Sequence, residues 1–289
     1  MSRALVLGGG GPVGIGWESG LAVGLTGEGI HLGDADLIVG TSAGSVVGAQ
    51  LALAMDLSDG VRRLGAPLPV TSGGSAGIER LMAAMADAAA GGASPEEARK
   101  ALGRLATEAS TVSEDTFIGA FDLVKGQPWP ASYTCTAVDV ATGEFRLWDS
   151  TAGVDLPRAV ASSCAVPGVF PPITIGGQRY MDGGMRTPLN ADTAVGHEIV
   201  VVVSCFALSL PEGMSDPAFD ALSAQVDDEL ERLRSAGASL EVIAPGEEFL
   251  DLSGWGLNLM DPTLTAAAFD VGVRQAALEA ERLREVWKA

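Results

Sequence analysis

The stretch DLIVGTSAGS, residues 36–45, decides the fold. Apolar Leu37, Ile38 and Val39 suit a buried strand, and a small-residue helical pattern runs from Ala43 to Ala54. Between them stands Ser42, with Gly40 and Gly44 on either side in Gly-x-Ser-x-Gly spacing. That spacing places a serine on a tight strand-to-helix turn, where larger neighbours would clash and the hydroxyl is left exposed. The helix that follows aims its N-terminus at the serine, which favours developing negative charge there. The pentapeptide alone also fits a glycine-rich turn whose serine merely caps a helix.

Before it, RALVLG (3–8) reads as a first buried strand, and a helical pattern runs from about Gly16 to Leu25. Strand–helix–strand–helix order predicts a parallel sheet with helices on its faces. The glycine run between the first strand and helix, GGGGPVG (8–14), has three readings. Gly9, Gly11 and Gly14 satisfy a dinucleotide fingerprint. That fingerprint wants an acidic residue at the end of the second strand, where this chain has Gly40-Thr41-Ser42; Asp34 and Asp36 lie at the strand's start. A second reading is an oxyanion hole, with the backbone amides of Gly9, Gly10 and Gly11 aimed at one oxygen. A tight turn with no ligand is the third.

From 56 to 130 no strand is evident, and helices are expected near 76–90, 94–108 and 114–124. Ser94-Pro95-Glu96-Glu97 is a helix start: capping serine, proline in the first turn, then acids. This segment reads as a helical insertion against the core. Leu81, Met82 and Met85 fall at helical spacing within it, which suits a lid or chain-binding wall as well as ordinary core packing. Strands are expected again at 133–139 and 144–148 as a hairpin, then in GQRYMD ending at Asp182, at 198–204 and at 239–245, with helices at 216–236 and 263–286.

A serine nucleophile needs a base. His31 and His197 both precede strands, the wrong end of an α/β sheet for catalysis, so a Ser-His-Asp triad is poorly supported. Asp182 ends a strand and is followed by Gly183 and Gly184, which let the chain approach closely. A carboxylate acts directly as base when desolvation lifts its pKa. Asp-Gly-Gly is also a common turn.

The net charge of −19 argues against nucleic acid as a partner and weakens docking on anionic lipid. Three scattered cysteines, Cys135, Cys164 and Cys205, suggest neither a disulfide framework nor a zinc site. The N-terminal apolar run is too short for a signal-peptide core, and no run is long enough to span a bilayer. A cytoplasmic protein of one domain, 1–289, is the expectation.

A glycine loop after strand one, Gly-x-Ser-x-Gly after strand two and a late Asp-Gly-Gly stand in one order. Together they resemble the patatin-like phospholipase family. ASSCAVPGVFPP (161–172) and DGGMRTPLN (182–190) extend the resemblance, which covers about 3–55 and 131–205. It implies an α/β fold with a mainly parallel central sheet flanked by helices, and a lipid acyl hydrolase acting on phospholipid or other carboxylic esters. It further implies Ser42 as nucleophile, Asp182 as base and Gly9–Gly11 as oxyanion-hole donors, with Gly14, Gly40, Gly44, Gly183 and Gly184 supporting the motifs. No cofactor or metal is implied, and transient membrane contact is left open. The chain departs from the family at Val13, where Arg or Lys is usual, which leaves room for neutral esters. A silent binding module on the same fold, a dinucleotide-binding enzyme and a hydrolase that uses His197 are the alternatives.

Overall fold

A computed structural model of the chain describes residues 1–64, 74–210 and 217–287. In chain order, the first half runs β1 (Arg3–Leu7), α1 (Gly11–Gly27), β2 (Leu37–Gly40), α2 (Ala43–Ala52), α3 (Leu57–Leu64), α4 (Gly74–Ala90), α5 (Pro95–Glu108) and α6 (Glu114–Gly119). The second half runs β3 (Tyr133–Asp139), β4 (Phe145–Trp148), α7 (Leu156–Ser163), β5 (Ile173–Ile175), β6 (Gln178–Asp182), β7 (Ile199–Val203), α8 (Pro217–Ser235), β8 (Ser239–Ile243), α9 (Glu247–Ser253) and α10 (Thr265–Trp287). The strands form one sheet in the order β5-β6-β3-β2-β1-β7-β8, with β4 also on β3. Strands β3, β2, β1, β7 and β8 are parallel to one another, and β4, β5 and β6 join antiparallel.

The central strands β1, β2 and β7 are almost wholly apolar because both faces are covered. Leu5 and Leu7 of β1 point into the main core with Trp17, Leu21 and Leu25 of α1, Val46 and Val47 of α2, and Ala268 and Leu283 of α10. Ala4 and Val6, one step out of phase, point to the other face, against Val226, Leu230 and Leu233 of α8. The 56–130 stretch is helical as expected, apart from 65–73, which lie outside the described residues. It is not a separate body: Phe117, Phe121 and Val124 join the main core, and Phe117 stacks on Phe170 at 4.3 Å. Ser94 caps α5 with a reciprocal capping box to Glu97.

Helix α1 begins at Gly11, five residues before its expected start, so the glycine loop is only Gly8–Gly10. Glycines disfavour a free helix, but here small size is needed. A Cβ on Gly16 would lie 2.2 Å from the Thr265 carbonyl oxygen, and one on Gly20 1.9 Å from that of Phe269. Gly272 of α10 returns the fit, 2.2 Å from the Trp17 carbonyl oxygen. Helices α1 and α10 therefore pack backbone to backbone, and α1 is held rigidly behind the loop it starts from. Beside that interface, Trp17 donates through Nε1 to Gln275 at 3.1 Å.

Sheet register positions the site. Cys135 of β3 pairs with both Gly40 of β2 and Trp148 of β4; two residues on, Ala137 pairs with both Asp182 of β6 and Arg146 of β4. Strand β4 thus takes one edge of β3, and β2 and β6 share the other. They run toward each other, and β2 ends at Gly40 where β6 ends at Asp182. A head-on meeting of two strands brings together segments far apart in the chain.

Candidate active site

Ser42 sits at this meeting point. It takes φ 52°, ψ −115°, a conformation strained for any residue with a side chain. Flanking glycines make the turn possible. A Cβ on Gly40 would lie 2.4 Å from Ser45 Cα, and one on Gly44 2.2 Å from the Leu7 carbonyl oxygen. The turn is pinned on several sides. The Ser42 amide donates to Ser163 Oγ at 3.0 Å, and its carbonyl accepts from Ser45 Oγ at 2.6 Å and Cys164 Sγ at 3.3 Å. The Gly44 amide donates to the Gly8 carbonyl at 2.9 Å, which joins the turn to the glycine loop.

Asp182 caps the short helical turn that follows β6; its Oδ1 accepts from the Gly184 amide at 2.7 Å. Gly183 is required by close approach, since a Cβ there would lie 2.0 Å from Thr136 Oγ1. The carboxyl group is 2% exposed, and burial pushes its pKa from 3.8 up to about 7. The Ser42 side chain and the Gly184 amide pull the other way. Ser42 is thus close enough to favour the ionised form, yet Asp182 Oδ2 is buried with no hydrogen-bond partner.

The glycine loop lies against the serine, with the Cβ direction of Gly9 3.5 Å from Ser42 Cβ. One expected donor needs correction. The Gly9 amide is spent on the Pro188 carbonyl at 2.8 Å. Gly10 and Gly11 open α1, and Ala43 opens α2, so their amides have no intrahelical acceptor. Among the described residues no other group takes them. Gly11 adopts φ +58°, and a Cβ would meet the Leu259 carbonyl oxygen at 2.5 Å. Gly14 packs its bare backbone on Cys205 Sγ and Ala43. Val13 is fully buried, its amide bonded to the Leu259 carbonyl at 3.2 Å.

A small cleft, with a cavity volume of about 30 Å³, opens beside Ser42. Ile15, Phe121, Val166, Phe170 and Met260 give it an apolar lining. Leu81, Met82 and Met85 are not among its walls: Leu81 packs on Leu102, Val138 and Met181, while Met82 and Met85 are exposed. The residues that do form the wall come from α1, the 117–124 turns, the segment after α7 and the loop before α10. Neither histidine approaches: His31 precedes β2 and accepts Trp287 Nε1 on its carbonyl, and His197 precedes β7 with Nδ1 3.1 Å from the Ala194 carbonyl. Among the described residues no group of three or more His, Cys, Asp or Glu could hold a metal, and no helix is long and apolar enough to cross a membrane.

Two further buried polar residues lie outside the roles that the motifs imply. Asn190 is fully buried and in the left-handed region at φ 54°, where asparagine is tolerated. Glu18 of α1 is 1% exposed, and both its carboxylate oxygens lack a hydrogen-bond partner. Burial pushes its pKa well above 4.5, against weaker pulls from Cys205 and the Gly8 amide.

The patatin-like phospholipase family profile matches residues 5–195, about two thirds of the chain. The chain belongs to the patatin-like phospholipase family. The patatin-like region so defined contains the glycine loop, the Ser42 turn and the Asp182 turn. No curated protein matches the chain significantly. Among solved structures, VipD from Legionella pneumophila is similar at 12% identity and TM-score 0.41, covering 97% of this chain and 66% of VipD. The type III effector protein ExoU is similar at 15% identity and TM-score 0.37, covering 96% of this chain and 54% of ExoU. The chain thus spans less than two thirds of the length of either.

Proposed function

We propose that this patatin-like protein is a serine acyl hydrolase of lipid or other carboxylic esters, acting through a Ser42–Asp182 dyad. The observation that carries the reading is the buried carboxyl beside Ser42, with one oxygen held by Gly184, the other unpartnered, and a pKa near neutrality. Ionised Asp182 takes the proton of the Ser42 hydroxyl, and the serine oxygen attacks the ester carbonyl. Negative charge then develops on the carbonyl oxygen, where the unpaired amides of Gly10, Gly11 and Ala43 are the available donors. Loss of the alcohol, which takes the proton back from Asp182, leaves an acyl-Ser42. Asp182 then activates water to release the acid.

The apolar lining of the cleft favours an acyl chain over a polar group beside Ser42. With Val13 buried where the family usually presents a cation, neutral esters and phospholipids are both candidate substrates. On this reading the chain acts as one hydrolase domain and needs neither metal nor organic cofactor. Hydrolysis of a panel of p-nitrophenyl esters, phospholipids, lysophospholipids and glycerides tests it, comparing wild type with Ser42→Ala and Asp182→Asn. Loss of cleavage in both variants, with the fold intact by circular dichroism, supports the dyad. Full activity in either removes it.

A further inference from the structure

We propose that Asn190 is a positioning residue that clamps the nucleophile turn to the general-base turn. Its side-chain amide, Nδ2, donates to Thr41 Oγ1 at 3.1 Å, to the Gly183 carbonyl at 3.2 Å and to the Thr187 carbonyl at 2.9 Å. Thr41 is the residue before Ser42, and Gly183 the residue after Asp182. One nitrogen therefore bonds to both turns, and two N–H groups shared among three oxygens leave it little freedom. The inference rests on the dyad reading above and extends it to the residue that sets the dyad's separation.

Asn190 is itself held from several directions. Its Oδ1 accepts from Arg186 Nη1 at 3.1 Å, and Arg186 is also paired with Asp192. Its backbone amide donates to Thr187 Oγ1 at 2.9 Å. Glu229 of α8 accepts from Thr187 Oγ1 at 2.6 Å and from the Ala191 amide at 2.8 Å, which anchors the segment around Asn190 to the helix packed on it. On the catalytic side Thr41 Oγ1 also accepts from Thr136 Oγ1 at 2.9 Å. The chain of bonds runs from a helix, through Asn190, to the residues next to Ser42 and Asp182. It has a chemical reason to exist. Ser42 occupies a strained turn and Asp182 ends an edge-sharing strand, so no sheet hydrogen bond joins β2 to β6 directly where they meet. A misplacement of about 1 Å at such a pair is enough to cost about a hundredfold in rate.

The test uses Asn190→Gly, which keeps the left-handed backbone and removes the clamp, Asn190→Asp, which keeps shape and removes the donor, and Thr41→Val, which removes one acceptor. Each is measured on the full chain with p-nitrophenyl butyrate, and active sites are counted by fluorophosphonate titration. The expected result is a kcat per active site about 10–100-fold lower with KM little changed. The acidic limb of the pH profile should also shift toward lower pH, as the loosened turn admits water to Asp182. A simple loss of stability would lower the number of titratable sites and move neither quantity. If Asn190→Gly fails to fold, Thr41→Val and Asn190→Asp decide. Wild-type kcat per site and an unmoved pH limb in the folded variants overturn the clamp while leaving the dyad standing. Wild type that shows no Ser42-dependent hydrolysis overturns the dyad, and the clamp with it.

Discussion

Replacing Asp182 by asparagine should abolish ester hydrolysis and, at the same time, make the fold less sensitive to alkaline pH. Asp182 is held by burial at a pKa of about 7 against 3.8 for the free group. As pH rises above 3.8 the unfolded chain gives up this proton while the folded chain keeps it, so folding stability falls until pH passes 7. The favourable contribution is complete below pH 3.8 and fully lost above 7. A gap of about 3 units at 1.36 kcal/mol each gives a total of about 4 kcal/mol, of which about 2.5 kcal/mol falls between pH 5 and pH 8. Asp182→Asn keeps an oxygen for the Gly184 amide and has no proton to lose. Urea unfolding of both proteins at pH 5 and pH 8 isolates the effect, because other titrating groups cancel in the difference. Wild type should lose about 2.5 kcal/mol relative to the variant between the two pH values. A difference that does not change with pH would show Asp182 titrating as an ordinary carboxylate, and its role as a base poised near neutrality would fall.

The same shift predicts that wild-type kcat/KM climbs about tenfold per pH unit below 7 and levels off above it, read from an initial-rate pH profile. Glu18→Gln removes a second buried carboxyl that resists ionisation; its stability advantage over wild type, followed by thermal melting, should grow above pH 4.5 by at most about 1.4 kcal/mol per unit. Gly44→Ala drives a methyl group to 2.2 Å from the Leu7 carbonyl oxygen, and should cost about 3 kcal/mol or more in denaturant unfolding. Met260→Trp narrows the cleft beside Ser42, so KM should rise for long-chain p-nitrophenyl esters while acetate hydrolysis is nearly unchanged. His31→Ala and His197→Ala should each leave kcat/KM within about twofold of wild type, because both side chains sit at the far end of the sheet.

The readable parts of this chain are those where local pattern and tertiary fate agree. β1, β2 and β7 are mostly apolar runs because they are buried in the sheet, and Ser42 and Asp182 stand out because glycines flank the one and follow the other. The first turn of α1 is hidden for the opposite reason. Glycine and proline at Gly11, Pro12 and Gly14 argue for a loop, and only packing against Cys205, Leu259 and Ala43 makes them helical. Strand β5 spans only Ile173–Ile175 after two prolines and owes its existence to pairing with β6. Helix α7 is masked by Pro157 in its first turn and by the small residues behind it. At the site, the missing information is long-range. Nothing near Gly9 announces that Pro188 will take its amide, and an asparagine after proline and leucine reads as a turn until Thr41 and Gly183 arrive beside it. Glu18 breaks an otherwise apolar helix face, a pattern that in hindsight marks a buried carboxyl.

The most direct measurement of the central claim is covalent labelling with a fluorophosphonate, mapped by peptide mass spectrometry and followed as a function of pH. The account predicts one adduct, on Ser42, with a labelling rate that rises through pH 7 in wild type and is abolished in Asp182→Asn. An adduct on another residue, or Ser42 labelling that proceeds unchanged without the Asp182 carboxylate, would contradict it.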